Sequence, residues 1–162
     1  MDAKFSPKVK DVIAFSREEA VRLGHDYIDA SHLLLGLIRE GDGQAIKTLR
    51  NLGVNIDKLK AAIEDSMRHT GEKEGLQADQ IPLTKQAEKI LKITFLEAKI
   101  FKSELIGTVH LLLSILRDED CLANRVLEKF DVTYELVKDE IDAMIEGRER
   151  TEPPATPRSS YE

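Results

Sequence analysis

Residues 28–39, IDASHLLLGLIR, return as residues 106–117, IGTVHLLLSILR, with six of the twelve positions identical. Ile28, His32, Leu33, Leu34, Leu35 and Arg39 match Ile106, His110, Leu111, Leu112, Leu113 and Arg117 at an offset of 78 positions. The same offset holds without a gap from about Phe5 to Met67. Glu19 and Ala20 recur as Glu97 and Ala98, while Asp42, Ala45, Leu49, Val54 and Ile63 recur as Asp120, Ala123, Leu127, Val132 and Ile141. Self-similarity at one fixed offset marks a duplicated structural unit.

Within each unit, apolar residues recur at three- and four-residue steps, which predicts four helices joined by short turns. In the first copy, helix one opens with Ser6 as N-cap and Pro7 at the first helical position, and Gly24 stops it. Helix two, from about Ser31 to Arg39, is apolar nearly all round and is predicted to be buried on most sides. Helix three follows Asp42 as its cap and ends at Gly53, a left-handed position that Asp131 takes in the second copy. Helix four starts near Asn55 and aligns Ile56, Leu59, Ile63 and Met67, echoed by Tyr134, Val137, Ile141 and Ile145. The predicted fold class is all-α: eight helices in two pseudo-symmetric tandem four-helix repeats, at residues 1–67 and 83–146. Residues 68–82, with two glycines and a proline, read as an inter-repeat linker, and residues 147–162, with three prolines, as a flexible tail.

Composition narrows the function. A net charge of −6 with both signs interspersed offers no broad basic face for phosphates, so no nucleic-acid partner is expected. The longest strongly apolar run, Leu33 to Ile38, is far short of the roughly 20 residues that span a bilayer. The N-terminus lacks a secretion signal pattern, and no membrane partner is expected. Cys121 is the single cysteine and cannot form an internal disulfide, which fits a reducing, cytoplasmic setting.

The titratable pair His32 with Glu19 recurs as His110 with Glu97. A histidine in the first turn of a buried helix is expected to make a structural hydrogen bond; the competing reading is a histidine-dependent enzyme. His25 and His69 are expected at the surface, and neither has partners at metal-ligand spacing. The acidic run Asp118 to Asp120 reads as a solvated helix junction with Asp120 as N-cap, and Cys121, aligned with Gly43, as a passive thiol. No catalytic residues and no metal ligands are therefore assigned. More promising are the two helix starts, Ser6-Pro7-Lys8 and Thr84-Lys85-Gln86, where open amide donors, a hydroxyl and a lysine meet as an anion site would require.

Taken with the duplication, EEAVRLGH (Glu18 to His25), HLLLGLIREGDG (His32 to Gly43) and the second HLLL (His110 to Leu113) resemble the N-terminal Clp repeat domain of ClpC-type AAA+ unfoldases. The resemblance spans about residues 5 to 146. It implies a non-catalytic domain that binds adaptor proteins and unfolded or degron-tagged substrates. It also implies ATPase modules beyond Glu162, which would carry ATP and Mg, assemble the oligomer and deliver cargo to a Clp peptidase. The domain alone would need no cofactor and would be a monomer. A stand-alone scaffold or stress regulator without ATPase is the alternative. In some Gram-positive relatives each repeat holds phosphoarginine, with phosphate at the start of the first helix and a glutamate, just before the motif histidine, on the guanidinium. Ser31 and Val109 stand at those glutamate positions here and supply no negative charge, whereas Ser6 and Thr84 could keep the phosphate half.

Overall fold

The structure, a computed structural model, describes residues 4–67, 77 and 80–149. Among them the chain forms α1 (Pro7–Arg22), α2 (Ala30–Glu40), α3 (Gln44–Asn51), α4 (Ile56–Ser66), α5 (Lys85–Ile100), α6 (Thr108–Arg117), α7 (Leu122–Lys129) and α8 (Tyr134–Glu149). The expected eight helices in two sets of four are present. Most of the linker assigned to 68–82, His69 included, and the tail beyond residue 149 lie outside the described residues. Helix α8 runs through Gly147, where the sequence reading placed its end, to Glu149.

Local chemistry accounts for several of the helix ends. The Ser6 hydroxyl accepts from the Val9 amide at 3.3 Å, Thr84 from Ala87 at 3.0 Å and the Asn55 side chain from Lys58 at 3.1 Å, each satisfying an amide that has no partner within its helix. Gly24 and Gly53 take positive φ after α1 and α3, and Asp131 takes φ 62° at the position matching Gly53.

Two expected caps are displaced. The N-cap of α3 is Gly43 rather than Asp42, and that of α7 is Cys121 rather than Asp120. Asp42 turns its carboxylate outward to Lys8 at 3.2 Å, and the Ala45 amide is instead satisfied by Thr108 Oγ1 from the other repeat at 3.0 Å. The approach is close: a Cβ at Gly43 would stand 2.5 Å from the Thr108 hydroxyl.

Leu33, Leu34, Leu35 and Leu37 of α2, and Leu111 to Leu113 of α6, are almost wholly removed from water and lie in one continuous core drawn from both repeats. Each such side chain contributes about 1.5–3 kcal/mol relative to exposure. Helices α1 and α2 pack together, as do α5 and α6, while α3 meets α6 and α4 meets α7 across the repeat boundary. Gly36 lets α2 close on α1, since a Cβ there would lie 2.5 Å from the Val12 carbonyl. Its counterpart, Ser114, donates to the corresponding Ile90 carbonyl at 2.6 Å.

Short extended segments, not expected from the composition, tie the copies together. Strand β1 (Lys4–Phe5) runs parallel to β2 (Leu105–Ile106), pairing Phe5 with Ile106, and Leu83 bridges Ile28. These are the same contact with the repeats exchanged. The Ser6 amide donates to the Ile106 carbonyl at 3.0 Å and the Thr84 amide to the Ile28 carbonyl at 2.9 Å, so an approximate two-fold axis relates the halves.

Candidate functional site

Because the segments cross over, each first-helix start sits against the second helix of the opposite repeat. Ser6, Pro7 and Lys8 adjoin the strand leading into α6, and Thr84 and Lys85 adjoin the start of α2. Ser6 and Thr84 are half-buried, while Pro7, Lys8 and Lys85 are exposed. The sequence positions carried over as degron contacts behave differently: Ser31 and Val109 are both buried, facing the core from the first turn of α2 and α6.

The two starts are not chemically equal. Thr84 Oγ1, besides capping α5, donates to the Asp29 carboxylate at 3.0 Å, which places a negative charge where an anion would enter. Gly107, which matches Asp29, brings no such charge beside Ser6. Lys8 is drawn away from that start by Glu40 at 3.4 Å and Asp42 at 3.2 Å, which raise its pKa, Asp42 foremost. The two starts are therefore unequal, and at Ser6 the amide already donates to the Ile106 carbonyl, Pro7 has no N–H and the Val9 amide is capped by the Ser6 hydroxyl.

The histidines serve the fold. His32 Nδ1 accepts from the Asp29 amide at 2.9 Å, and His110 Nδ1 accepts from the Gly107 amide at 2.8 Å, the same bond in both copies. Such a bond fixes the Nε2–H tautomer. His25, expected at the surface, is buried: its Nδ1 lies 2.8 Å from His32 Nε2, because the turn after α1 folds back over α2. Burial, reinforced by His25, lowers the His32 pKa to about 4, and burial lowers that of His110. Burial pushes the Cys121 thiol up to about 11, which keeps it protonated and unreactive.

Glu19 and Glu97, paired with the histidines in the sequence reading, still act electrostatically on His32 and His110 but form their ion pairs with arginines. Glu19 takes Arg22 at 2.8 Å and Arg39 at 3.3 Å. Glu97 takes Arg117 and the Tyr134 hydroxyl, the latter at 2.7 Å. Both carboxylates are buried, and each is held by two donors, as a buried charge requires. Among the described residues no group of three or more His, Cys, Asp or Glu is arranged to hold a metal, and no helix is long and apolar enough to cross a membrane.

Sequence reasoning missed Asp29 and an apolar face on α5. Phe95, Leu96 and Ile100, with Leu105 just beyond, are exposed, and Phe5 packs on Phe95 with ring centres 5.0 Å apart. This face therefore continues to the Ser6 helix start. The signal lay in the differences between copies, since Arg17, Glu18 and Arg22 stand at the corresponding positions of the first repeat.

Residues 4–120 and 94–160 match the family model for the Clp repeat (R) N-terminal domain. The chain is 36% identical over 141 residues to an ATP-dependent Clp protease ATP-binding subunit ClpA homolog of Guillardia theta, covering 87% of this chain and 17% of that protein. It is 35% identical over 145 residues to the chloroplastic chaperone protein ClpC2 of Arabidopsis thaliana, covering 90% of this chain and 15% of the relative. In three dimensions it resembles the N-terminal domain of the chaperone ClpD from Arabidopsis thaliana, with TM-score 0.70, 22% identity and coverage of 88% and 95%. The Hsp104 N-terminal domain from Candida albicans superposes with TM-score 0.72 at 14% identity, covering 93% of this chain and 96% of that one.

Proposed function

Since the chain belongs to the Clp repeat N-terminal domain family, we propose that it is the substrate- and adaptor-binding domain of a ClpC-like ATP-dependent unfoldase that feeds a Clp peptidase. The observation that carries this reading is the exposed apolar face of α5, continuous with the Ser6 start through the Phe5–Phe95 contact. Apolar surface of this kind, left uncovered on a folded domain, suits the capture of apolar segments that unfolded proteins and adaptors present. The domain itself is read as non-catalytic and free of cofactor, with ATP and Mg bound by AAA+ modules of the whole protein. The chain spans only about one-sixth of the curated relatives it matches, so unfolding and delivery to a peptidase are proposed for that larger assembly. The setting proposed is the cytoplasm, and a chloroplast is the competing compartment in view of the plastid relatives.

Titrating the isotope-labelled chain with reduced, alkylated α-lactalbumin, a permanently unfolded protein, tests the reading by NMR. Saturable shifts centred on Phe95, Leu96 and Ile100 and extending to Ser6 are expected, with Phe95→Ser weakening them. Binding that leaves those residues unmoved, or no binding at all, would refute it.

A further inference from the structure

The first repeat carries a cleft of about 740 Å³ between α1, α2 and the α3–α4 turn, a volume within the range of ligand sites. It lies apart from the helix starts and from the α5 face, and owes nothing to the reading of those surfaces. Arg22, Arg39, Arg50 and Lys60 line it, against the carboxylates of Glu19 and Asp57. Ile38, Val54 and Ile56 supply apolar lining between the charges.

The charge balance of the cleft follows from where the two repeats diverge. In the second repeat Lys138 is neutralised by Asp142 at 3.1 Å. Lys60 and Glu64 hold the matching positions, but Glu64 is drawn to Arg22 at 2.6 Å, a residue whose counterpart is Ile100. Among the described residues Lys60 forms no ion pair, although Asp57 lines the same cleft one turn away. Arg50 matches Glu128, so the sign at that position is reversed. Among the described residues, the side chains of Arg50 and Lys60 make no hydrogen bond or ion pair, and both are exposed. The filling differs as well. Tyr134 stands where the first repeat has Ile56, and its phenol occupies the Glu–Arg pair of the second repeat, bonding Glu97 and Arg117 at 2.7 and 3.1 Å. The smaller Ile56 leaves the equivalent space open.

We infer that this cleft binds a short acidic segment of a protein partner, its carboxylates on Arg50 and Lys60 and its apolar side chains against Ile38, Val54 and Ile56. Two exposed cations without an ion pair among the described residues, beside apolar lining and with Asp57 as the one acid of the cleft outside the Glu19–arginine cluster, match a chain that alternates acidic and apolar residues, whereas a bare anion would leave the apolar lining unused.

The test is an NMR titration of the labelled chain with a blocked peptide alternating Glu and Leu, its Gln-for-Glu counterpart, and inorganic phosphate. The Glu peptide should give saturable shifts at residues 50–60 that diminish with salt. The Arg50→Gln, Lys60→Gln double variant, which changes two exposed side chains, should weaken binding about tenfold with an otherwise unchanged spectrum. Equal binding of the Gln peptide, shifts that phosphate alone reproduces, or shifts confined to the lysines of α5 would each overturn the assignment. The α-lactalbumin shifts at Phe95 and Ser6 report on the other surface, so either reading can fail alone.

Discussion

The hydroxyl of Tyr134 donates to the buried carboxylate of Glu97 at 2.7 Å, while Arg117 reaches the same carboxylate and stacks over the tyrosine ring at 4.8 Å. In the first repeat Arg22 does for Glu19 what Tyr134 does for Glu97. Burial and the hydrogen bond to Glu97 push the phenol pKa up to about 12, so the hydroxyl remains a donor. Both repeats thus solve the burial of a carboxylate with two donors, using different second partners.

Tyr134→Phe removes one donor from Glu97 without changing the ring that covers it. The cost should be about 1–3 kcal/mol, the penalty for leaving a buried acceptor under-satisfied. A urea midpoint unchanged from that of the parent chain would show that Arg117 alone suffices.

Stability should fall on mild acidification. His32 stays neutral in the fold down to about pH 4, whereas in the unfolded chain it gains a proton near its ordinary value of 6.5. Its stabilising contribution is therefore complete above pH 6.5 and lost progressively as the pH drops toward 4, by at most about 3 kcal/mol. His110, also lowered, acts in the same direction. The titratable groups facing His32 include His25, which opposes its charging, Glu19, which favours it, and Tyr27, whose ring packs on it at 5.4 Å. Denaturant unfolding across this range should show protons taken up on unfolding, and His32→Asn, which offers an amide oxygen in place of Nδ1, should flatten the slope.

Thr108→Val keeps the shape of the side chain but deletes the hydroxyl that caps α3 from across the repeat boundary. A loss of about 1 kcal/mol is expected. Amide exchange should quicken at Ala45 more than at Val9 or Ala87, whose caps lie within their own repeats; equal protection throughout would mean that the Ala45 amide finds another partner.

Free phosphoarginine should not bind at Thr84. Asp29 already accepts from the Thr84 hydroxyl and repels phosphate, and Ser31 is buried without a charge for the guanidinium. Asp29→Asn keeps an acceptor for Thr84 while removing the repulsion, so shifts at residues 84–86 with phosphoarginine or phosphate should appear only in that variant. Saturable shifts there in the unaltered chain would contradict this account of the site.

The repeat, the eight helices and most of their ends were already written in the order of residues along the chain. These rest on interactions of short range: apolar periodicity in IDASHLLLGLIR, hydroxyl caps at Ser6 and Thr84, and left-handed turns at Gly53 and Asp131. The structural role of the motif histidines was also legible, because an identical residue at the start of two buried helices calls for an identical bond. It took the folded molecule to reveal that β1 pairs with β2, that Thr108 caps a helix 63 residues away, that His25 is buried against His32, and that Glu19 and Glu97 form ion pairs with arginines. Those outcomes depend on which surfaces the two halves present to each other. Periodicity along one chain names the face that each helix buries, whereas the partner that satisfies a buried amide or carboxylate is set by how the two halves dock.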